Sequence, residues 1–201
     1  VTFGFAAMRI ERRKKSNNRV SRIREDLGDI LESSSSEAPV CAPDCPMATL
    51  EQCSRHCPDV PRMLSSEAGE YPLEDLIAPL AYELKRLGVF HPCWSGEGHN
   101  SPDGKLWKKP QVWFYCSSVV HLRVLANAVE KLHRSKNLSV PWQVALTFTD
   151  DDNADSTFSL EPMIETEQIR LSAVQRDIIT IAEHLRDGVI VEARKLSRMV
   201  L

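Results

Sequence analysis

The sequence predicts an α+β fold, in which a four-stranded antiparallel or mixed sheet is covered by helices in the order α-β-β-α-β-β-α. A Cys-rich knuckle and a flexible basic N-terminal tail are predicted to precede this core. Four segments rich in β-branched and aromatic residues occur as two pairs, and no helical pattern lies inside either pair. Other segments repeat apolar residues every three or four positions, as amphipathic helices do. The chain has 201 residues, of which 42% are hydrophobic and 26% charged, enough to bury a sizeable core.

Residues 1–38 are predicted to form a basic tail and a Ser-rich linker. Eight Arg or Lys residues occur in residues 9–24 against one acid, Glu11, although the whole chain has a formal net charge of −3. Within this region, residues 19–32 have the spacing of a short amphipathic helix, and SSSSEAP at 33–39 is typical of a linker. A partner that is recognised by charge would therefore meet one end of the chain and not its whole surface.

Residues 39–65 form a predicted Cys-rich metal-binding segment. The stretch CAPDCPMATLEQCSRHCP contains two copies of Cys-x-x-x-Cys-Pro, whose cysteines are Cys41, Cys45, Cys53 and Cys57. In local helical turns, the two sulfurs of each pair point to one side. Two such pairs can place four thiolates on a tetrahedron around Zn2+ or at the corners of an iron–sulfur cluster. The segment has few large apolar residues, so a bound metal would be needed to order it.

The identity of the bound group stays open at this stage. Zinc is the first interpretation and an iron–sulfur cluster the second. Disulfides or incidental thiols are the remaining alternatives, and a reducing compartment disfavours disulfides. His56, which lies inside the second pair, could replace a cysteine as a ligand, although an exposed His56 is favoured.

Residues 70–163 are predicted to form the α+β core domain. Its first helix is predicted over 72–87 from the spacing of apolar residues, although Pro79 would kink a helix at that point. Ser118 is a candidate N-cap for a second helix that extends to about residue 135. The four strands are predicted at 89–95, 111–117, 142–148 and 156–162.

Residues 164–201 are predicted to form a C-terminal helix, with helical periodicity from about 166 to 199. Its apolar stripe consists of Leu171, Val174, Ile178, Ile181, Leu185 and Val189. This spacing is close to a heptad repeat, so the stripe could form the seam of a homodimer. Packing of the helix on the core is the favoured alternative. The Asp-Gly pair at 187–188 is a candidate break in the helix.

The stretch HPCWSGEGHN at 91–100 is a candidate catalytic loop, because Cys93, Glu97 and His99 lie around two glycines directly after a predicted strand. Glu97 and His99 are two residues apart, so in extended backbone they face the same way and could share a proton or a cation. Cys93 is the candidate nucleophile. The alternative is a solvated hairpin loop in which Cys93 is a small core residue.

The run from LAYELKRLGVFHPCWSGEGH through PQVWFY resembles uncharacterised bacterial proteins in which a leucine-rich helix, a Gly and a strand lead into a Ser-Cys-Glu-Gly-His box. The resemblance covers residues 76–115 and implies no established activity. This chain has Gly96 where the pattern has a cysteine. Any thiol chemistry in this loop would therefore have to come from Cys93.

The sequence accordingly predicts a cytoplasmic metal-binding protein that acts as a binding or regulatory module, with zinc as the favoured cofactor. The alternatives are an enzyme, a hydrolase or transferase, that uses Glu97, His99 and Cys93, and an iron–sulfur redox or sensor protein. The opening VTFGFAAM is short for a secretion signal, and no apolar run is long enough to span a membrane. The basic RRKK at 12–15 could contact nucleic acid, but a solubilising tail is favoured.

Overall fold

The computed structural model describes residues 17–33, 54–147, 156–164 and 169–200, and these residues form an α+β fold, as predicted. The helices are α1 (Asn17–Ser33), α2 (Val60–Met63), α3 (Ala78–Arg86), α4 (Val119–Arg134) and α5 (Leu171–Val200). The strands are β1 (His91–Gly96), β2 (His99–Asn100), β3 (Leu106–Lys108), β4 (Gln111–Tyr115), β5 (Trp142–Thr147) and β6 (Thr157–Pro162). Most of the predicted tail, linker and Cys-rich segment lies outside the described residues.

The main sheet has four strands in the order β1-β4-β6-β5, and every neighbouring pair is antiparallel. It consists of the hairpins β1–β4 and β5–β6, with α4 connecting them along the chain. Alternate residues of the central strands face the helices: Val112 and Phe114 on β4 are fully buried and lie opposite Leu160 and Phe158 on β6. A small two-stranded sheet, β2–β3, lies in the loop between β1 and β4 and has no counterpart among the predicted elements.

The helix α5 is the element on which the other long helices converge, since α1, α3 and α4 all contact it. Its predicted apolar stripe is buried within the chain. Fully buried members of the stripe are Val174, Ile178, Ile181, Leu185 and Val189. The stripe therefore packs on the core, which is the favoured of the two predicted arrangements, and these residues are not exposed for a dimer seam.

The predicted break at Asp187 and Gly188 is wrong, because α5 continues through both residues. A Cβ atom at Gly188 would lie 3.3 Å from the Cβ atom of Ala128 on α4. Glycine at this position thus lets α4 and α5 approach closely. The apolar burial on both helices outweighs the weak helix propensity of glycine, which costs about 1 kcal/mol relative to alanine.

The starts of α3 and α4 are set by their first residues. The helix α3 begins at Ala78 and not at residue 72, so Pro79 lies in its first turn. A backbone N–H in the first turn has no intrahelical partner, so Pro79 neither removes a hydrogen bond nor kinks the helix. The predicted cap of α4 is confirmed, since the Ser118 hydroxyl oxygen accepts a hydrogen bond from the Val120 N–H at 3.0 Å.

The helix α1 is part of the core. The amphipathic helix predicted over 19–32 is confirmed, with slightly wider bounds, and its Leu27 and Ile30 are buried in the main hydrophobic cluster. The N-terminal region therefore contains an element that packs with α4 and α5. Neither α1 nor any other helix of the described ranges is long and apolar enough to cross a membrane.

Asp177 on α5 holds the loop between α4 and β5. It is 2% exposed, and its carboxylate accepts hydrogen bonds from the backbone N–H groups of Ser139 at 2.8 Å and Val140 at 3.3 Å. The indole N–H of Trp142, the first residue of β5, also donates to it at 3.3 Å. A carboxylate is tolerated in the interior when such donors replace its water, so Asp177 ties α5 to the start of the second hairpin.

Replacement of Asp177 by Ala should lower the free energy of unfolding by about 2–4 kcal/mol, because three donors would lose their acceptor in the interior. Urea denaturation followed by circular dichroism measures the change. Asp187→Ala removes an exposed carboxylate from the same helix and is the matched control, with an expected change within about 0.5 kcal/mol. Equal losses in the two variants would contradict the structural role of Asp177.

Candidate functional site

Two carboxylates cross-link the loop that follows β1 to the turn that precedes α3. The backbone N–H of Glu97 donates to Oε2 of Glu74 at 2.7 Å, and the backbone N–H of Leu76 donates to Oε2 of Glu97 at 3.0 Å. Each glutamate thus accepts a hydrogen bond from the other's segment. The side-chain amide of Gln175 donates to the carbonyl oxygen of Glu97 at 3.3 Å and joins the loop to α5. The Glu97 carboxylate is therefore engaged in holding the backbone.

His99 contacts the same pair of segments through Glu74. Its Nε2 atom lies 2.9 Å from Oε1 of Glu74, and both side chains are partly exposed. The two oxygens of Glu74 thus reach His99 and the backbone of Glu97, so Glu74 lies between the two residues that the sequence singled out. Local spacing contained no signal for Glu74, because it lies 23 residues before Glu97 in the chain.

Gly98 is required at its position in this loop. Its φ is +83°, in the left-handed region that favours glycine. A Cβ atom there would lie 2.8 Å from the Pro110 ring and 2.9 Å from the Leu171 side chain. The backbone conformation and the close packing therefore explain the central glycine of Glu-Gly-His, since only glycine lets the loop turn against Pro110 and α5.

Cys93 lies on β1 at a bulge, where the pairing register with β4 shifts between Pro92 and Trp94. A bulge re-aims the inserted side chain, and Cys93 is exposed. The expectation that Cys93 is a small core residue is therefore wrong. Cys116, at the end of β4, is buried, and its thiol donates to the carbonyl oxygen of Ser118 at 3.5 Å. Burial raises the pKa of the Cys116 thiol.

Cys93 faces a cleft of about 400 Å3 between β1 and the residues before α3. The segment of the chain that includes Leu64, Ser65 and Tyr71 forms the opposite wall, and Glu74 lies in the same lining. The structure thus brings Cys93 and Glu74 to one cleft, while Glu74 also binds His99. This cleft is the place at which the described residues combine a thiol, a carboxylate and exposed aromatic side chains.

The described end of the Cys-rich segment begins at Ser54 and contains Cys57; Cys41, Cys45 and Cys53 lie outside the described residues. Cys57 is half-buried and forms no disulfide within the described ranges. Its N–H donates to the Ser54 carbonyl at 2.9 Å, and its own carbonyl accepts from the Val60 N–H at 3.1 Å. Cys57 thus lies in a turn just before α2. His56 is exposed, which is the placement the sequence favoured.

A small hydrophobic cluster and an ion pair attach this turn to α3. Val60 packs with Ala78 and Tyr82 in a cluster separate from the main core, and Cys57 contacts its edge. Arg55 donates to the carboxylate of Glu83 at 3.1 Å. Glu83 is 1% exposed, and its ion pairs with Arg55 and, at 3.7 Å, with Arg86 make this burial tolerable. The residues that follow the Cys-x-x-x-Cys-Pro repeat are therefore anchored on the core domain.

A scan of protein-family models, a search of curated proteins and a search of solved structures find no match to this chain. The function is therefore argued from the residues and their geometry.

Replacement of Glu97 by Ala should lower the free energy of unfolding by about 1 kcal/mol, because the Leu76 N–H loses its acceptor in the turn that precedes α3. Thermal or urea denaturation measures the change. Glu70→Ala is the control. It removes an exposed carboxylate from the chain segment between Leu64 and Tyr71, and it should be nearly neutral. A neutral Glu97→Ala variant would show that this hydrogen bond contributes nothing to the fold.

Proposed function

We propose that the protein is a metal-binding module in which Cys41, Cys45, Cys53 and Cys57 hold one zinc ion. The observation that carries the proposal is the anchoring of the last of these cysteines. Cys57 lies in a turn that is fixed to α3 by the Val60–Tyr82 contact and by the Arg55–Glu83 ion pair. A ligand held on a rigid scaffold loses little conformational entropy when a metal binds, so this end of the repeat is suited to metal binding.

The chemistry of the donor set supports zinc. Four thiolates in two Cys-x-x-x-Cys pairs match a tetrahedral structural site without an open position. The Cys57 sulfur is 4.0 Å from a carboxylate oxygen of Asp59, a weak contact that does not compete with a metal–thiolate bond. An iron–sulfur cluster uses the same ligands and is the alternative cofactor. Reduced thiols are required in either case, which agrees with the predicted cytoplasmic location.

The proposed binding or regulatory role depends on the cleft, because the chain that follows the anchored turn forms one of its walls. After α2 the chain forms the wall of the cleft that contains Leu64, Ser65 and Tyr71. Loss of a metal from the cysteines would loosen the turn at Cys57, and the wall that follows it would lose part of its attachment. In this proposal the bound zinc sets the shape of the cleft, and the cleft binds the partner or ligand.

Protein purified anaerobically without chelator should contain about one zinc per chain, and the Cys41→Ser/Cys57→Ser double variant should contain none. Elemental analysis for zinc and iron measures both. Cys93→Ser is the matched control, since it removes an exposed thiol outside the repeat and should keep the zinc. About four irons per chain, together with visible absorbance, would show that the cofactor is an iron–sulfur cluster and not zinc. A wild-type protein without metal, or zinc retained in the double variant, would overturn the proposal.

A second candidate function is an enzyme, a hydrolase or transferase, that uses the cleft. The exposed Cys93 in the cleft lining favours it, since a nucleophile must reach its substrate. His99 would act as base or acid, oriented by its 2.9 Å contact with Glu74. Glu97 is the least suited of the three predicted residues to proton transfer, because its carboxylate already accepts the Leu76 N–H.

Alkylation by iodoacetamide tests the enzyme candidate without a known substrate. If His99 activates Cys93, Cys93 should react at pH 7 at least about tenfold faster than an ordinary thiol, and His99→Gln should abolish the excess. Peptide mass spectrometry distinguishes Cys93 from the buried Cys116, which should react slowly in both proteins. Reaction of Cys93 at the ordinary rate in the wild type would argue against a catalytic thiol.

A further inference from the structure

The cleft beside β1 has an exposed aromatic side chain on each of its two walls. Trp94 on β1 is 46% exposed, and Tyr71 on the facing segment is 66% exposed. Pro92 and Pro72, one from each wall, also line the cleft. Exposed apolar groups that are gathered in a concave site are typical of binding surfaces. The cleft is therefore suited to apolar groups that pack flat against aromatic rings.

Trp94 is held in place by its neighbours on the sheet. Its ring centroid lies 5.2 Å from that of Trp113, which is opposite it on β4. A Cβ atom on Gly96 would lie 3.4 Å from Cη2 of Trp94, so the indole extends over this glycine. The indole N–H of Trp94 has no hydrogen-bond partner among the described residues, whereas that of Trp113 donates to Gln111 at 3.2 Å. Trp94 is thus an ordered platform whose donor is available to a ligand, which lowers the entropic cost of binding.

The wall that contains Tyr71 is acidic. Residues 64–76 contain no Lys or Arg and four acids, Glu67, Glu70, Glu74 and Asp75. Glu74 is half-buried in the cleft lining, and the other three are exposed. Lys85 on α3 is the one cation among the described residues of the lining. The wall as a whole therefore attracts a ligand that carries positive charge.

We propose that the cleft binds a proline-rich peptide segment in the polyproline II conformation, with an arginine or lysine beside the prolines. A polyproline II backbone makes no internal hydrogen bonds, so its carbonyl groups can accept the Trp94 N–H. Grooves lined by aromatic side chains recognise such segments because the conformation is formed before binding. The acidic wall selects the basic residue. This inference rests on the binding role proposed above for the cleft and names the partner.

An extended peptide that adds a strand to β1 is the alternative occupant of the cleft. The strand β1 lies at one edge of the main sheet. Pro92 has no N–H to donate, and the bulge between Pro92 and Trp94 interrupts the regular pairing of the strand. Proteins use both features to prevent the addition of a strand to a sheet edge. The structure therefore favours a peptide that is recognised by side chains over one that extends the sheet.

Fluorescence anisotropy with the full chain and a fluorescein-labelled oligoproline peptide that ends in two arginines tests the proposal. The wild type should bind this probe saturably, and Trp94→Ala and Tyr71→Ala should each bind it at least about tenfold more weakly. Trp107→Ala is the matched control, because it removes an exposed tryptophan outside the cleft lining and should bind as the wild type does. Circular dichroism checks the fold. Tyr71→Ala should keep the fold, since the hydrogen bonds of Tyr71 to Glu67 and Ser65 are made by its backbone.

Two further peptides test the conformation and the charge of the partner. Glutamates in place of the two arginines should weaken binding at least about tenfold, because the acidic wall would repel them. A Gly-Ser peptide with the same arginines should not bind, because it is a flexible coil. Absence of saturable binding by the wild type, equal binding of either further peptide, or unchanged affinity in Trp94→Ala and Tyr71→Ala would each overturn the inference.

The zinc content of the same protein samples separates this inference from the proposed zinc site. Absence of peptide binding overturns the inference about the cleft whatever the zinc content, because Trp94, Tyr71 and the acidic wall do not include the four cysteines. Peptide binding by protein that contains no zinc would instead overturn the four-cysteine proposal alone.

Discussion

Burial of the apolar face of α5 is the constraint on which the rest of the structure depends. The helix is about 45 Å long, and its buried residues run from Val174 to Leu196. A helix of this composition owes its stability to packing more than to propensity. Because α1, α3 and α4 all contact α5, and because Asp177 on the same helix holds the residues that lead into β5, displacement of α5 would release three helices and one hairpin together. Gly188 lies where α5 passes close to Ala128 of α4.

Charged side chains join the segments that apolar packing alone holds weakly. Glu74 and Glu97 connect two exposed loops through backbone N–H groups, and the buried Glu83 accepts Arg55 from the turn before α2. These tasks restrict the chemistry that the same groups can perform, because a general base needs a lone pair directed at the substrate. Cys93 lies at the bulge on β1 and lines the cleft.

The spacing of apolar residues in the sequence predicted those helices and strands that bury one face against the core. The helices α4 and α5 and the four main strands appear because one face of each meets the core, and Ser118 marks a helix start through its own hydroxyl. Periodicity misplaced the start of α3, because the apolar residues of the preceding turn continue the helical spacing. It also could not locate Glu74 or the exposure of Cys93, since the first depends on a contact between distant segments and the second on a bulge that interrupts strand alternation.

The proposed four-cysteine site ends at a turn that a small apolar cluster attaches to the core domain. The turn after Cys57 rests on a cluster of three buried residues, whereas α5 contributes many more to the main cluster. Local stability follows the amount of buried apolar contact, so this attachment is expected to open at lower free energy than the sheet and α5. A ligand changes a conformational equilibrium only by its differential affinity for the two states. An ion bound by the four cysteines would therefore act on a segment that opens more easily than the sheet and α5.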